Sequence, residues 1–161
     1  MVQIFDDKKK HFIFLLHHSK SFEMASGVQV NDEVVEAYNA LKLGHKNKYM
    51  IARLNNDNTE IIVHKQASPN ATYEEFVADL PANECRYAVY DFDFDAGSGE
   101  GQRNKILFVV WAPDSAKIRE KMLYASSKDA LRKKLVGFGA EVQATDYSEI
   151  SKETINERVA K

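Results

Sequence analysis

Residues 111–135 read WAPDSAKIREKMLYASSKDALRKKL, a basic stretch with more apolar surface than a single core can use. Pro113 followed by Asp114 is a good helix start, because the carboxylate can cap the free amides of the first turn. On a wheel of about 100° per residue, Ile118, Met122 and Ala125 share one arc. Ala116 and Leu123 fall nearly opposite, with Arg119 and Glu120 flanking them. One apolar face can enter a core; the other needs a second explanation. Ser126 to Asp129 has the form of a capping box, which predicts a kink or a restart before ALRKKL. A bent, basic helix with a spare apolar strip suits docking into a groove on a partner.

Outward from that helix the chain alternates paired strands with single helices. Arg86–Phe92 and Lys105–Trp111 are apolar and β-prone, joined by the glycine-rich DAGSGEGQRN of residues 95–104. Upstream, Tyr49–Leu54 and Glu60–His64 flank the polar cluster Asn55-Asn56-Asp57-Asn58 and read as a hairpin. Val34, Val35, Tyr38 and Leu41 recur at helical spacing between Asn31 and Leu43, with Gly44 as the stop. Ala71 to Leu80 reads as a short helix closed by Pro81. Downstream, Glu141–Ala144 adds a short strand, and Ser148–Ala160 a last helix with Ile155 and Val159 one turn apart. This order predicts the α/β (α+β) class: one domain built on a mixed sheet covered by helices.

The 161 residues, 44% hydrophobic and 29% charged, suffice for one domain with a sizeable core. A net charge of −2 argues against a general nucleic-acid binder. Cys85 is the only cysteine, which excludes an intrachain disulfide and fits a reducing compartment. No apolar run approaches the ~18–20 residues that span a bilayer, so no stable membrane insertion is expected. Residues 1–23 differ from the rest, with three of the five histidines, a Lys8-Lys9-Lys10 run and the patch Phe12–Leu16. That patch is shorter than a signal-peptide core. The segment reads as an N-terminal extension, expected to be disordered.

Several chemistries can be weighed against simpler readings. Asp91, Asp93 and Asp95 alternate with aromatic residues, so a strand would align three carboxylates on one face, where a hard cation could bind. Without a glycine-turned acidic loop, a polar outer face balanced by Lys and Arg is the simpler reading, and no metal site is assigned. Gly97, Gly99 and Gly101 imitate a phosphate loop, but such loops lead from a strand into a helix, and this one leads into another strand. A projecting hairpin tip fits better, and its Arg103 and Lys105 could meet an acidic protein surface. Cys85 with His64 or His45 shows no catalytic spacing, and Cys85 reads as a small buried hydrophobe. No catalytic residue and no cofactor are assigned, and the chain does not read as an enzyme. Lys117, Arg119, Lys121, Lys128, Arg132, Lys133 and Lys134 would alone suggest a solvated face. The spare apolar strip turns the balance toward a binding surface.

Three motifs in order, ECRYAVYDFDF (84–94), KMLYASSKDALRKKL (121–135) and QATDYSEIS (143–151), closely resemble the actin-depolymerising factor/cofilin family. The resemblance runs from about Met24 to Lys161, which sets residues 24–161 as the expected homology domain. It implies a mixed, mostly antiparallel sheet with helices on both faces. It also implies an actin-binding protein that severs and depolymerises filaments, binds actin monomers and favours ADP-actin. An alternative within the same fold is a non-severing adaptor on filament sides or a branching complex.

By resemblance, the surface for monomers and filaments comprises Ala25, Ser26, Gly27, Val28, Arg119, Lys121, Met122, Lys128 and Asp129. The surface needed only for filaments comprises Arg103, Lys105, Glu157, Arg158 and Lys161. Ser26, next to a start at Met24, is the implied phosphorylation site. Anionic phosphoinositides are implied competitors for the basic helix. A monomer in the cytoplasm on the actin cytoskeleton, with entry to the nucleus left open, completes the expectation.

Overall fold

Two ten-residue strands, β4 (Arg86–Asp95) and β5 (Gln102–Trp111), set the frame, pairing antiparallel from Arg86↔Trp111 to Asp95↔Gln102. They belong to a computed structural model that describes residues 27–97 and 99–160. Alternation along them divides the molecule in two. Tyr87, Val89, Phe108 and Val110 face one core, while Ala88, Tyr90, Leu107, Val109 and Trp111 face the other. A sheet buried on both faces needs helices on both.

β2 (Tyr49–Leu54) and β3 (Glu60–Gln66) form the expected antiparallel hairpin, and β2 continues the sheet onto β4. β6 (Ala140–Ala144) joins β5 in parallel, and the two-residue β1 (Gln29–Val30) joins β3 in parallel. The order β1-β3-β2-β4-β5-β6 is the mixed, mostly antiparallel sheet that the resemblance implies.

Helix α1 (Asp32–Gly44) and helix α3 (Ile118–Lys134) cover the first face through Tyr38, Leu41, Tyr124 and Leu131. Helix α2 (Tyr73–Asp79) and helix α4 (Lys152–Val159) cover the second through Phe76, Ile155 and Val159. Burying one such aliphatic or aromatic side chain contributes about 1.5–3 kcal/mol, so each helix is held mainly by its inward stripe.

Boundaries depart from the sequence reading for local reasons. α3 begins at Ile118, not at Pro113, because Pro113 to Ala116 closes a separate turn (Ala116 N–H to Pro113 O, 2.9 Å). It also runs without a break through Ser126 and Ser127. The Ser126 hydroxyl donates back to the Leu123 carbonyl at 3.1 Å instead of capping a new turn, and Ser127 is buried against the sheet. The capping-box reading of Ser126–Asp129 is therefore wrong: Tyr124, Ser127, Ala130 and Leu131 hold one continuous inward face. α4 starts at Lys152, later than Ser148, because Asp146 first organises a tight turn by accepting from Ser148 Oγ and Glu149 N–H; Ser151 is the true cap. Gly44 is the last residue of α1, and the left-handed stop is His45 (φ 48°), whose ring is held 3.0 Å from Asp91 Oδ2.

Candidate functional site

On α3 the helical period places two faces back to back. Tyr124, Ser127, Ala130 and Leu131 point into the core. Ile118 and Met122 point away from it, 73% and 67% exposed, with Ala125 exposed beside them. The second strip that the sequence leaves unexplained is thus a solvent face. Tyr124 fixes the helix's rotation: its hydroxyl accepts from the Leu54 N–H at 3.0 Å, and its carbonyl accepts from the Tyr87 hydroxyl. Nearer the start, Glu120 Oε1 accepts from the Cys85 N–H at 2.7 Å. A groove of about 440 Å³ runs beside the strip, with Ile118, Met122 and Ala125 on one wall and Val110, Ala112 and Gln143 on the other.

Charged side chains frame this strip. Arg119 is exposed and has no ion-pair partner among the described residues. Lys121 is half-buried, with its ammonium 3.2 Å from the Asp114 carbonyl. Lys128 is paired with Glu141 at 3.2 Å, and Arg132 reaches the same carboxylate at 3.6 Å. Asp129 is exposed one turn beyond Ala125. Glu141 was missed as an anchor, since a lone Glu in a short strand carries no signal that two helix cations converge on it.

At the start of the described chain, Val28 is buried in the same core as Tyr124 and Leu131, and β1 packs on α3. Gly27 is exposed with φ 68°. Ala25 and Ser26 lie outside the described residues, as does the extension of residues 1–23.

The second predicted surface lies on the opposite face of the sheet. The β4–β5 hairpin projects: β2 stops pairing with β4 at Tyr90, and β6 pairs with β5 only from Leu107 onward. Gly97, Gly99 and Gly101 all have positive φ (72°, 75° and 81°), which lets the tip close tightly. Arg103 is exposed and pairs with Glu100 at 2.8 Å. Lys105 lies on the α4 side, its ammonium 3.4 Å from the Val159 carbonyl and 5.9 Å from the centre of the Phe94 ring. That contact sets a cation against the negative end of α4 and links hairpin to helix. Gly139 makes room for it, because a β-carbon there would lie 2.4 Å from Lys105 Cγ. Nothing in the sequence pointed to Gly139. Glu157 and Arg158 are exposed on α4, and Lys161 lies outside the described residues.

The three aspartates of β4 do share a face, but each already has a donor. Asp91, 6% exposed, takes His45 at 3.0 Å and Asn104 Nδ2 at 2.9 Å. Asp93 takes Lys48 at 2.6 Å, and Asp95 Oδ1 takes the Gly97 N–H at 3.0 Å. Among the described residues no group of three His, Cys, Asp or Glu is placed to hold a metal ion. Cys85 is buried in the core, where desolvation and then Glu120 push its thiol up to about 12. It is a packing residue.

Taken together, the fold is a mixed sheet with helices on both faces, an apolar and basic helix turned to solvent on one face and a charged hairpin on the other. Both the helix strip and the hairpin tip are thus open to solvent. The family model for "Cofilin/tropomyosin-type actin-binding protein" matches residues 27–160, and the chain belongs to this family. It is 51% identical over 136 residues to actophorin of Acanthamoeba castellanii, covering 84% of this chain and 97% of that one. It is 53% identical over 136 residues to the cofilin of Ogataea parapolymorpha, covering 84% and 94%. The crystal structure of Streptomyces griseoflavus cofilin superposes with a TM-score of 0.76 at 52% identity, covering 82% of this chain and 96% of that one.

Proposed function

We propose that this domain binds actin monomers and filaments, severs and depolymerises the filaments, and favours ADP-actin. The observation that carries the reading is the outward face of α3: a rigid helix, in a chain of an actin-binding family, leaves Ile118 and Met122 exposed between cations. No covalent step is required, and the protein acts as a binding protein, not as an enzyme. A ligand that prefers one filament geometry shifts bound segments toward it and strains their boundary with bare segments, so binding energy alone can break the filament.

Under this reading Met122 and Ile118 supply apolar contact, while Arg119 and Lys121 orient the helix against acidic actin. Lys128 and Asp129 extend that surface, and Ala25 to Val28 border it. Arg103, Lys105, Glu157, Arg158 and Lys161 touch a second subunit that only a filament presents. The domain runs from Met24 to Lys161 and works as a monomer in the cytoplasm. Anionic phosphoinositides compete for the basic helix, and phosphate on Ser26 weakens actin binding by adding charge beside it. Co-sedimentation with filaments, paired with direct observation of severing, tests the reading. Binding without severing would favour an adaptor role, and no binding would refute it.

A further inference from the structure

Gly139 differs from the other glycines near it. Gly97, Gly99, Gly101 and Gly137 all have positive φ, a backbone conformation that favours glycine. The φ of Gly139 lies outside that region, so its backbone suits any residue. Yet a β-carbon at Gly139 would meet its surroundings more closely than at any other glycine of the chain. What requires glycine here is packing, and the packing partner is a single side chain.

That side chain is Lys105. A β-carbon on Gly139 would lie 2.4 Å from Lys105 Cγ and 3.1 Å from its Cδ, near the root of the side chain, so Lys105 would have to leave its rotamer. The next nearest atom, the Ile106 carbonyl oxygen at 3.5 Å, is in ordinary contact, so Lys105 alone stands in the way. Gly139 itself is fixed, because its N–H donates to that carbonyl at 2.7 Å. Beyond Gly139, the Lys105 ammonium ends 3.4 Å from the Val159 carbonyl in the last turn of α4 and 5.9 Å from the centre of the Phe94 ring. A cation at that end of a helix is favourable. Lys105 also lies on the part of β5 that β6 does not pair, so this contact ties the projecting hairpin to α4. Arg103 and Lys105 together line a hollow of about 390 Å³ between the two elements.

We propose that Gly139 is a positioning residue of the filament surface. Its missing side chain leaves the lane in which Lys105 lies, and Lys105 in turn fixes the hairpin against the end of α4, so that Arg103 and Arg158 are presented together. The role rests on the filament binding proposed above. The contacts of Lys105 lie on β4, α4 and Gly139, away from the outward strip of α3, so monomer binding does not depend on this lane.

The experiment is a double-mutant cycle of Gly139→Ala and Lys105→Ala in the full chain, read by hydrogen exchange without actin and by co-sedimentation with filaments. Gly139→Ala should keep a native circular dichroism spectrum and a monomer affinity within about twofold of the parent, because no backbone strain is introduced. It should speed amide exchange in the last turn of α4, and weaken filament binding, each by about threefold or more. In the Lys105→Ala background, where Cγ is gone, the same substitution should change neither. Exchange or filament binding that Gly139→Ala leaves unaltered, an equal loss of monomer affinity, or losses as large in the Lys105→Ala background as in the parent would overturn the proposal. A parent chain that does not sediment with filaments would instead refute the filament reading itself, and the exchange cycle would still decide whether Gly139 positions Lys105.

Discussion

The outward face of α3 and the β4–β5 hairpin both present cations, yet they are built on different physics. The helix presents an apolar strip with cations at its margins, on an element whose rotation is pinned by Tyr124 and Tyr87. The hairpin presents charge on a projecting tip, with Arg103 paired to Glu100 and Lys105 steadied by Phe94 and the end of α4. Apolar contact is short-ranged and insensitive to salt, whereas exposed charge acts at a distance and is screened beyond ~8 Å at physiological ionic strength. The helix should therefore supply most of the affinity, and the hairpin should select and steer the filament.

The largest expected effect breaks the comparison at its apolar half. Replacing both Ile118 and Met122 by Asp should leave the circular dichroism spectrum and melting point near native, because neither residue is in the core. It should also cost more than about 3 kcal/mol of monomer binding, since the apolar contact is lost and two carboxylates face an acidic partner. Titration of labelled monomeric actin reads this directly. Retained affinity would move the binding surface off α3.

Arg119→Ala with Lys121→Ala should be milder, weakening monomers and filaments alike by roughly 1–3 kcal/mol, with much of the loss in the association rate. A loss confined to filaments would place these residues on the wrong surface. Raising the ionic strength should sharpen the contrast further. Filament co-sedimentation should fall several-fold between low and physiological salt, while monomer affinity of the Arg119→Ala, Lys121→Ala variant should hardly change. Equal salt dependence would mean that charge dominates both surfaces.

The smallest expected effect concerns the N-terminal border of the helix surface. Ser26→Glu in a chain started at Met24 adds a single negative charge, less than a phosphate does, and should weaken monomer binding by about 1 kcal/mol or less. Binding unchanged from the Met24 form would separate Ser26 from the α3 surface.

How far the sequence could be read differs between these same regions. The sheet was legible because Arg86–Phe92 and Lys105–Trp111 are nearly continuous apolar, β-prone runs, the pattern of strands covered on both faces. The outward strip was legible because helical spacing groups Ile118, Met122 and Ala125. The limits of α3 were not, because Pro113, Asp114 and Ser126–Asp129 all carry local capping chemistry. Tertiary contacts settle the competition: the turn at Pro113 and the burial of Ser127 override it. β1 could not be read, since two residues leave no period and its pairing to β3 is decided by chain path. Gly139 and Glu141 escaped for the same reason, as each matters only through a residue distant in sequence, Lys105 for one, Lys128 and Arg132 for the other.

The claim that the molecule carries two surfaces, on opposite faces of one sheet, is tested most directly by Arg103→Ala with Lys105→Ala in parallel assays. Monomer affinity and filament co-sedimentation are measured on the same protein preparation, with severing scored by microscopy. Monomer affinity should stay within about twofold of the parent, since neither side chain approaches α3, while filament binding should weaken by roughly tenfold or more, with severing lost alongside it. Equal losses in both assays would contradict the account and leave a single binding surface.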